Sequence, residues 1–237
     1  MLEKNNKEIL KDKNIDFDEE LTTILLSDNV LQVFTNEYLY NKNFRKKIDD
    51  YIPEVKLCYK QQQRNQWHIY DVMNHILHAV DEMNKLTVKL AYNERKMLAF
   101  TMFFHDLGKP EYHKVIEKNN VEYDSFKGHP IGSNKIARRV LKHLKFKEEE
   151  QKIILILVQE HDVFLKFSEN PKNDWQVKPT IEYLKNYIKE LNRYGDGKKI
   201  LNNLILVGKA DNRAQNQKTI KASFEIIEKI QTWLMKF

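Results

Sequence analysis

Cross-linking and turn-forming residues are scarce in this chain: its 237 residues include one cysteine, six glycines and five prolines. Average usage would make glycine and proline together roughly 12% of a chain, which argues against a β-sandwich, a barrel or a Gly-rich phosphate loop. An all-α fold is expected instead. The lone Cys58 excludes an internal disulfide and any zinc site built from cysteines, and it fits a reducing, cytoplasmic setting. Long apolar runs are missing as well. The longest, Ile153 to Val158, falls far short of the roughly 20 residues that a membrane-spanning helix needs. The N-terminal MLEKNNKEILKDKN has charges every few residues and no apolar core, so it does not read as a signal peptide. No membrane partner is expected.

Arginine is also scarce. Lys+Arg number 40 against 34 Asp+Glu, for a formal charge of +6, but only seven of the positive residues are arginine. Arginine is the side chain suited to bidentate phosphate recognition. The lysines are spread along the chain, so the basic balance reads as a solvated face, better suited to a small anionic substrate than to a nucleic-acid footprint.

What the chain does have is helical periodicity. From Asp16 to about Lys60, apolar residues recur at three- and four-residue intervals (Leu21, Ile24, Leu25; Val33, Phe34, Tyr38), with breaks expected at Ser27-Asp28-Asn29 and Asn41-Lys42-Asn43. Residues 1–60 therefore read as an N-terminal helical appendage, and residues 61–237 as the main domain, entered through the polar run Gln61 to Gln66. Pro130 and Pro179 stand where a first helical turn should begin. Between Tyr112 and Phe126, YHKVIE and VEYDSF flank Lys118-Asn119-Asn120, which predicts a small β-hairpin.

The chemistry-bearing residues sit at the ends of apolar helices. His68, Asp71, His75 and His78 are spaced by three, four and three, which would place them along one helix face. The apolar MLAFTMFF runs into His105-Asp106, ILILV leads into Gln159-Glu160-His161-Asp162, and LILV leads to Asp211-Asn212-Arg213, with His129 beside Pro130 in between. Histidine and aspartate at the end of a buried helix need partners, whether hydrogen bonds or a cation. These helix ends are expected to converge on one point. His113 in the hairpin and His143 on a lysine-flanked surface are expected to be idle, and His78 to be a hydrogen-bonded core residue.

The order His75, His105-Asp106, Asp211 resembles the H…HD…D signature of the HD superfamily of metal-dependent phosphohydrolases. More narrowly, HIYDVMNH, FFHDLGKP, GHPIGS, LVQEHD and KADNRAQ resemble the HD domain that accompanies bacterial CCA-adding tRNA nucleotidyltransferases. That family's separate catalytic domain, with its Gly-Ser motif and paired aspartates, has no counterpart before Trp67, so nucleotide addition is not expected. The resemblance implies an HD-type helical bundle, with the hairpin between the HD motif and the next helix.

By the same resemblance, His75, His105, Asp106 and Asp211 would bind one divalent ion, and His129 and His161 a second one bridged through Asp106. This donor set suits Mn²⁺, Fe²⁺, Co²⁺, Ni²⁺ or Zn²⁺, with Mg²⁺ less favoured. The implied reaction is hydrolysis of a phosphomonoester or phosphodiester by an acidified water. The expected substrate is a phosphorylated small molecule or nucleotide, with RNA as a further partner. Asp106, Lys109 and Asp162 are the catalytic candidates, Lys109 because its ammonium could pair with a phosphoryl oxygen. His68, Asp71, Lys109 and Arg213 are the substrate-side candidates. Two competing readings are a non-catalytic HD module that binds RNA or a partner, and a diiron oxygenase using the same ligand pattern.

Overall fold

A computed structural model describes residues 16–118 and 120–236. The charged N-terminal segment and Asn119 of the expected turn lie outside the described residues. The fold is helical with one two-stranded hairpin, and no described helix is long and apolar enough to cross a membrane.

Among the described residues the first four helices are α1 (Phe17–Leu25), α2 (Val30–Tyr40), α3 (Lys42–Tyr51) and α4 (Glu54–Cys58). Their breaks have a local cause. Asn29 accepts from the Gln32 amide at 3.1 Å, and Asn41 accepts from the Asn43 and Phe44 amides at 3.1 Å each; each thereby satisfies donors that a helix start leaves orphaned. Pro53 stands between α3 and α4, a break that apolar spacing alone does not reveal. These helices bury Phe17, Leu21, Phe34, Phe44 and Ile48 in the same hydrophobic core that runs on to Leu234. Phe34 is central, its ring centroid 5.5 Å from that of Phe44 and 5.6 Å from that of Phe103. Burying one such ring is worth roughly 1.5–3 kcal/mol.

The helices that carry the site follow: α5 (Val72–Thr87), α6 (Tyr92–Phe104) and the single turn α7 (Lys109–Tyr112), then, after the hairpin, α8 (His129–Val140), α9 (Glu148–Gln159), α10 (Ile181–Leu191), α11 (Gly197–Arg213) and α12 (Lys221–Leu234). Helix α6 is the central one. Its second half is buried on every side, as expected of a helix whose residues are apolar all round. It packs between α5 and α9 and also touches α11.

Strands β1 (Lys114–Lys118) and β2 (Val121–Ser125) pair antiparallel, Lys114 opposite Ser125 and Lys118 opposite Val121. Val115, Ile116 and Val121 remain exposed, so the hairpin is held by its base rather than its faces. Asp124 forms that base. Its carboxylate takes the Arg64 amide at 2.7 Å, the Arg64 guanidinium at 2.9 and 3.1 Å, and His113 Nε2 at 2.8 Å.

Three local expectations need correction. Helix α5 starts at Val72, so His68 and Asp71 precede it and do not continue its face. Pro179 lies ahead of the next helix, because Thr180 caps α10 by accepting from the Tyr183 amide at 3.1 Å. His78 is half-buried rather than a core residue, and its ring stacks on Tyr70 at 4.2 Å.

Candidate metal centre

Five helix ends meet at Asp106. The apolar α6 delivers His105 and Asp106 immediately past its last residue, and α9 delivers His161 in the same way. Helix α8 presents His129 from its first turn, α5 presents His75 and α11 presents Asp211. The approach of α8 depends on two glycines. Gly108 donates its N–H to Ser133 Oγ at 2.9 Å, and a Cβ on Gly108 would lie 2.3 Å from Ser133 N. Gly132 packs under the Tyr112 ring with equally little room.

Each histidine of the cluster spends its Nδ1 proton on a backbone carbonyl. His105 faces Met102 O at 2.5 Å, His129 Phe126 O at 3.0 Å, His161 Val158 O at 2.8 Å and His75 Ala214 O at 3.4 Å. A carbonyl only accepts, so Nδ1 is the protonated nitrogen and Nε2 of a neutral ring is left as a lone pair. All four Nε2 atoms point inwards. His75 and His105 each lie 3.2 Å from Asp106 Oδ2; His129 and His161 lie 2.9 and 3.7 Å from Asp106 Oδ1. Asp211 Oδ1 is 3.0 Å from His75 Nε2 and 3.7 Å from that of His105.

This arrangement leaves its polar atoms unsatisfied unless a cation enters. Both Asp106 oxygens are buried, and neither accepts a directed hydrogen bond. His129 and His161 stand Nε2 to Nε2 at 3.0 Å, and His75 and His105 at 3.4 Å, contacts that two lone pairs cannot make with each other. Among the described residues, two groups could hold a metal ion, His75–His105–Asp106 and Asp106–His129–His161, the donor atoms of each within 4.8 Å of one another. Imidazole nitrogens and carboxylates together suit a divalent transition metal. The residues therefore fit one or two divalent cations.

The electrostatics agree. Burial alone would raise the Asp106 carboxyl, but His105 and Lys109 beside it outweigh burial and hold it well below the usual carboxylate range. Asp211 is held down likewise, burial being outweighed by His105 and His75. Burial opposes a charge on His105, yet without a cation the two carboxylates would push it up to about 10, so that the ring itself would carry the positive charge that a bound ion otherwise supplies. A dry pocket with two carboxylates calls for positive charge.

Lys109 and His68 lie against the cluster. The Lys109 ammonium is 2.6 Å from Asp106 Oδ2 and donates to Gln63 Oε1 at 2.7 Å, with His68 Nε2 at 3.3 Å. His68, desolvated and next to that ammonium, is pushed down to about 2 and is neutral. Asp162, a third of its side chain exposed, stands on the open side of the second group, 3.4 Å from His161 Nε2 and 3.7 Å from His129 Nε2. Two candidates point elsewhere. Asp71 is the N-cap of α5, accepting from the Asn74 amide at 2.8 Å and side chain at 2.6 Å, and Arg213 faces Glu82 at 3.7 Å. Gln63, hidden in the polar run, is a site neighbour that the sequence does not single out.

The family model of the HD domain matches residues 68–215. No curated protein matches the chain.

Proposed function

The chain belongs to the HD domain family, and from that premise we propose that it is a divalent-metal-dependent phosphohydrolase acting on a nucleotide or an RNA-end phosphate. One observation carries the reading: four imidazole Nε2 atoms converge on a buried aspartate whose two oxygens accept no directed hydrogen bond. A divalent cation held there supplies Lewis acidity and an acidified water at neutral pH. His75, His105, Asp106 and Asp211 would hold the first ion, and His129 and His161 would hold a second, sharing Asp106.

The protein's own residues supply the rest. The carbonyls of Met102, Phe126, Val158 and Ala214 fix each ring's tautomer and direction, as outer partners of metal-binding histidines do. Apolar neighbours exclude bulk water from Asp106, which makes charges near it more effective. Asp162, on the exposed side, would take or give a proton at the reacting phosphate. The likeness of HIYDVMNH and FFHDLGKP to the HD domain of CCA-adding enzymes supports RNA ends and cyclic nucleotides as the first substrates to try.

Purified protein assayed with Mn²⁺, Ni²⁺ and Mg²⁺ against nucleotides, 2′,3′-cyclic nucleotides and an aryl phosphate tests the proposal. Metal-dependent phosphate release that disappears in Asp106→Ala is expected. Release that ignores both metal and this substitution would refute it.

A further inference from the structure

Lys109 is a buried lysine with a complete set of partners inside the protein. Its side chain is 5% exposed. The ammonium stands 2.6 Å from Asp106 Oδ2, 2.7 Å from Gln63 Oε1 and 3.3 Å from His68 Nε2, with the Phe126 ring centroid 5.5 Å away. An ammonium has three donors; Gln63 Oε1 and His68 Nε2 meet two of them, and the Asp106 carboxylate stands beside it as an ion-pair partner without a directed hydrogen bond. Those acceptors are themselves held. Gln63 is buried, and its Nε2 donates to Tyr70 O at 3.2 Å. His68 Nδ1 lies 2.8 Å from Asn65 Oδ1, which also takes the amides of Trp67 and His68 at 3.1 Å each. A carboxamide oxygen accepts, so the His68 proton sits on Nδ1 and Nε2 is free to receive Lys109.

Segment 61–71 is therefore more than an entry into the domain. It folds over the cluster and seats one cation on the oxygen that the first group of ligands shares. With two hydrogen-bond acceptors, an ion-pair partner and a side chain only 5% exposed, the ammonium is enclosed by protein and not offered to a phosphoryl oxygen. What it does have is charge, applied to Asp106. An ammonium 2.6 Å from a carboxylate oxygen draws electron density from it, so that oxygen becomes a weaker donor and any cation bound to it stays more Lewis acidic.

We infer that Gln63 and His68 are positioning residues that seat the Lys109 ammonium on Asp106, and that Lys109 tunes the metal site through Asp106 without touching the substrate. The inference rests on the metal reading above, and Co²⁺ binding separates the two. Apoprotein titrated with Co²⁺ and followed by visible absorption reports the ligand field directly, alongside kcat and KM for an aryl phosphate. Lys109→Met is expected to shift the Co²⁺ spectrum and tighten Co²⁺ binding, since a competing cation is gone. It should also lower kcat roughly ten-fold while KM stays within about two-fold. Gln63→Leu should give the same signature in smaller measure, and Gln63→Glu, which keeps an acceptor for the ammonium, should retain the wild-type spectrum.

Damage to the fold would not tighten metal binding while slowing turnover. Should Gln63→Leu fail to fold, Lys109→Met makes the same comparison. A Co²⁺ spectrum unchanged in Lys109→Met, with KM raised instead, would make Lys109 a direct substrate ligand and overturn the inference. Wild-type protein that gives no Co²⁺ spectrum would overturn the metal reading, and the inference with it.

Discussion

His129 and His161 face each other Nε2 to Nε2 at 3.0 Å, and each ring has already given its Nδ1 proton to a carbonyl. Two lone pairs at that distance repel unless a positive centre lies between or beside them. The neighbouring Asp106 Oδ1, 2.9 Å from His129 Nε2, completes the group. His129→Ala and His161→Ala are each expected to remove one bound ion and leave the His75–His105 group loaded, whereas Asp106→Ala should remove both. Metal analysis after dialysis against Mn²⁺ or Ni²⁺ measures this. A full complement of metal in Asp106→Ala would show that Asp106 is not shared.

Metal removal should also cost stability. A ligand that binds only the folded state, present at about 100 times its Kd, adds about 2.7 kcal/mol. For a chain of this size that corresponds to a few degrees per kcal/mol, so chelation should lower Tm by roughly 5–10 °C. Asp106→Ala protein should melt at the same temperature with and without chelator. Equal melting of loaded and chelated wild-type protein would contradict the expectation.

A second buried charge pair joins α1 to the centre of the fold. Lys96 on α6 reaches both oxygens of Asp18 at 2.8 and 2.9 Å, and Asp18 also takes the Lys145 amide at 2.9 Å. The ammonium sits 4.6 Å from the Phe146 ring centroid as well. Removing one partner of a buried pair strands the other and typically costs about 3–5 kcal/mol. Lys96→Met should fall in that range by urea denaturation, and adding Asp18→Asn should recover part of the loss. A double variant as unstable as the sum of the two single changes would mean that the pair does not act as a unit.

The hairpin should be sensitive to acid. Arg64 and His113 outweigh the effect of burial on Asp124 and lower its pKa. A carboxyl lowered in the folded state stabilises fully above its unfolded value, about 3.9, and this contribution is lost as pH falls through the folded value. Asp124→Asn should therefore cost about 1–3 kcal/mol near neutrality, and wild type and variant should begin to converge in stability below about pH 4, meeting only once the pH is under the lowered folded value. A stability gap that persists unchanged to pH 2 would contradict this account. In the same series, hydrogen exchange should find the β1 and β2 amides of the variant less protected.

Much of this was legible because short-range chemistry decided it. The caps Asn29 and Asn41 announce themselves as polar residues ahead of apolar periodicity, and the hairpin follows from alternation around a polar turn. His105, Asp106, His161 and Asp211 stood out because they ended apolar helical stretches, His75 because of its helical spacing with His68, Asp71 and His78, and His129 because it stood beside a helix-starting proline. Long-range contacts were not legible. Asp71 is spaced like a member of the α5 face, but capping Asn74 satisfies it first. Gln63 lies in a run that reads as a connection, and only Lys109, 46 residues further on, gives it a reason to be buried. The helices before residue 61 look separable by composition, yet the buried face of α2 packs on α5 and that of α1 on α6.

Gly108 ties the fold to the chemistry most directly. Its φ of −78° suits any residue, so what glycine provides there is space and not backbone freedom. A Cβ would meet three backbone atoms, Ser133 N at 2.3 Å, His129 O at 2.6 Å and Gly132 C at 2.8 Å, and backbone cannot rotate away as a side chain can. Gly108→Ala must therefore push the first turn of α8 off the loop after Asp106. Overpacking of this kind costs about 1–3 kcal/mol, and it also carries His129 away from Asp106 Oδ1. The variant should lose the ion of the His129–His161 group, as His129→Ala does, while the His75–His105 group stays loaded. Ser133→Ala, which deletes only the hydrogen bond to Gly108 N, should keep both ions and lose less stability. If Gly108→Ala instead retains both ions at wild-type Tm, the close approach of these two segments is not what places His129.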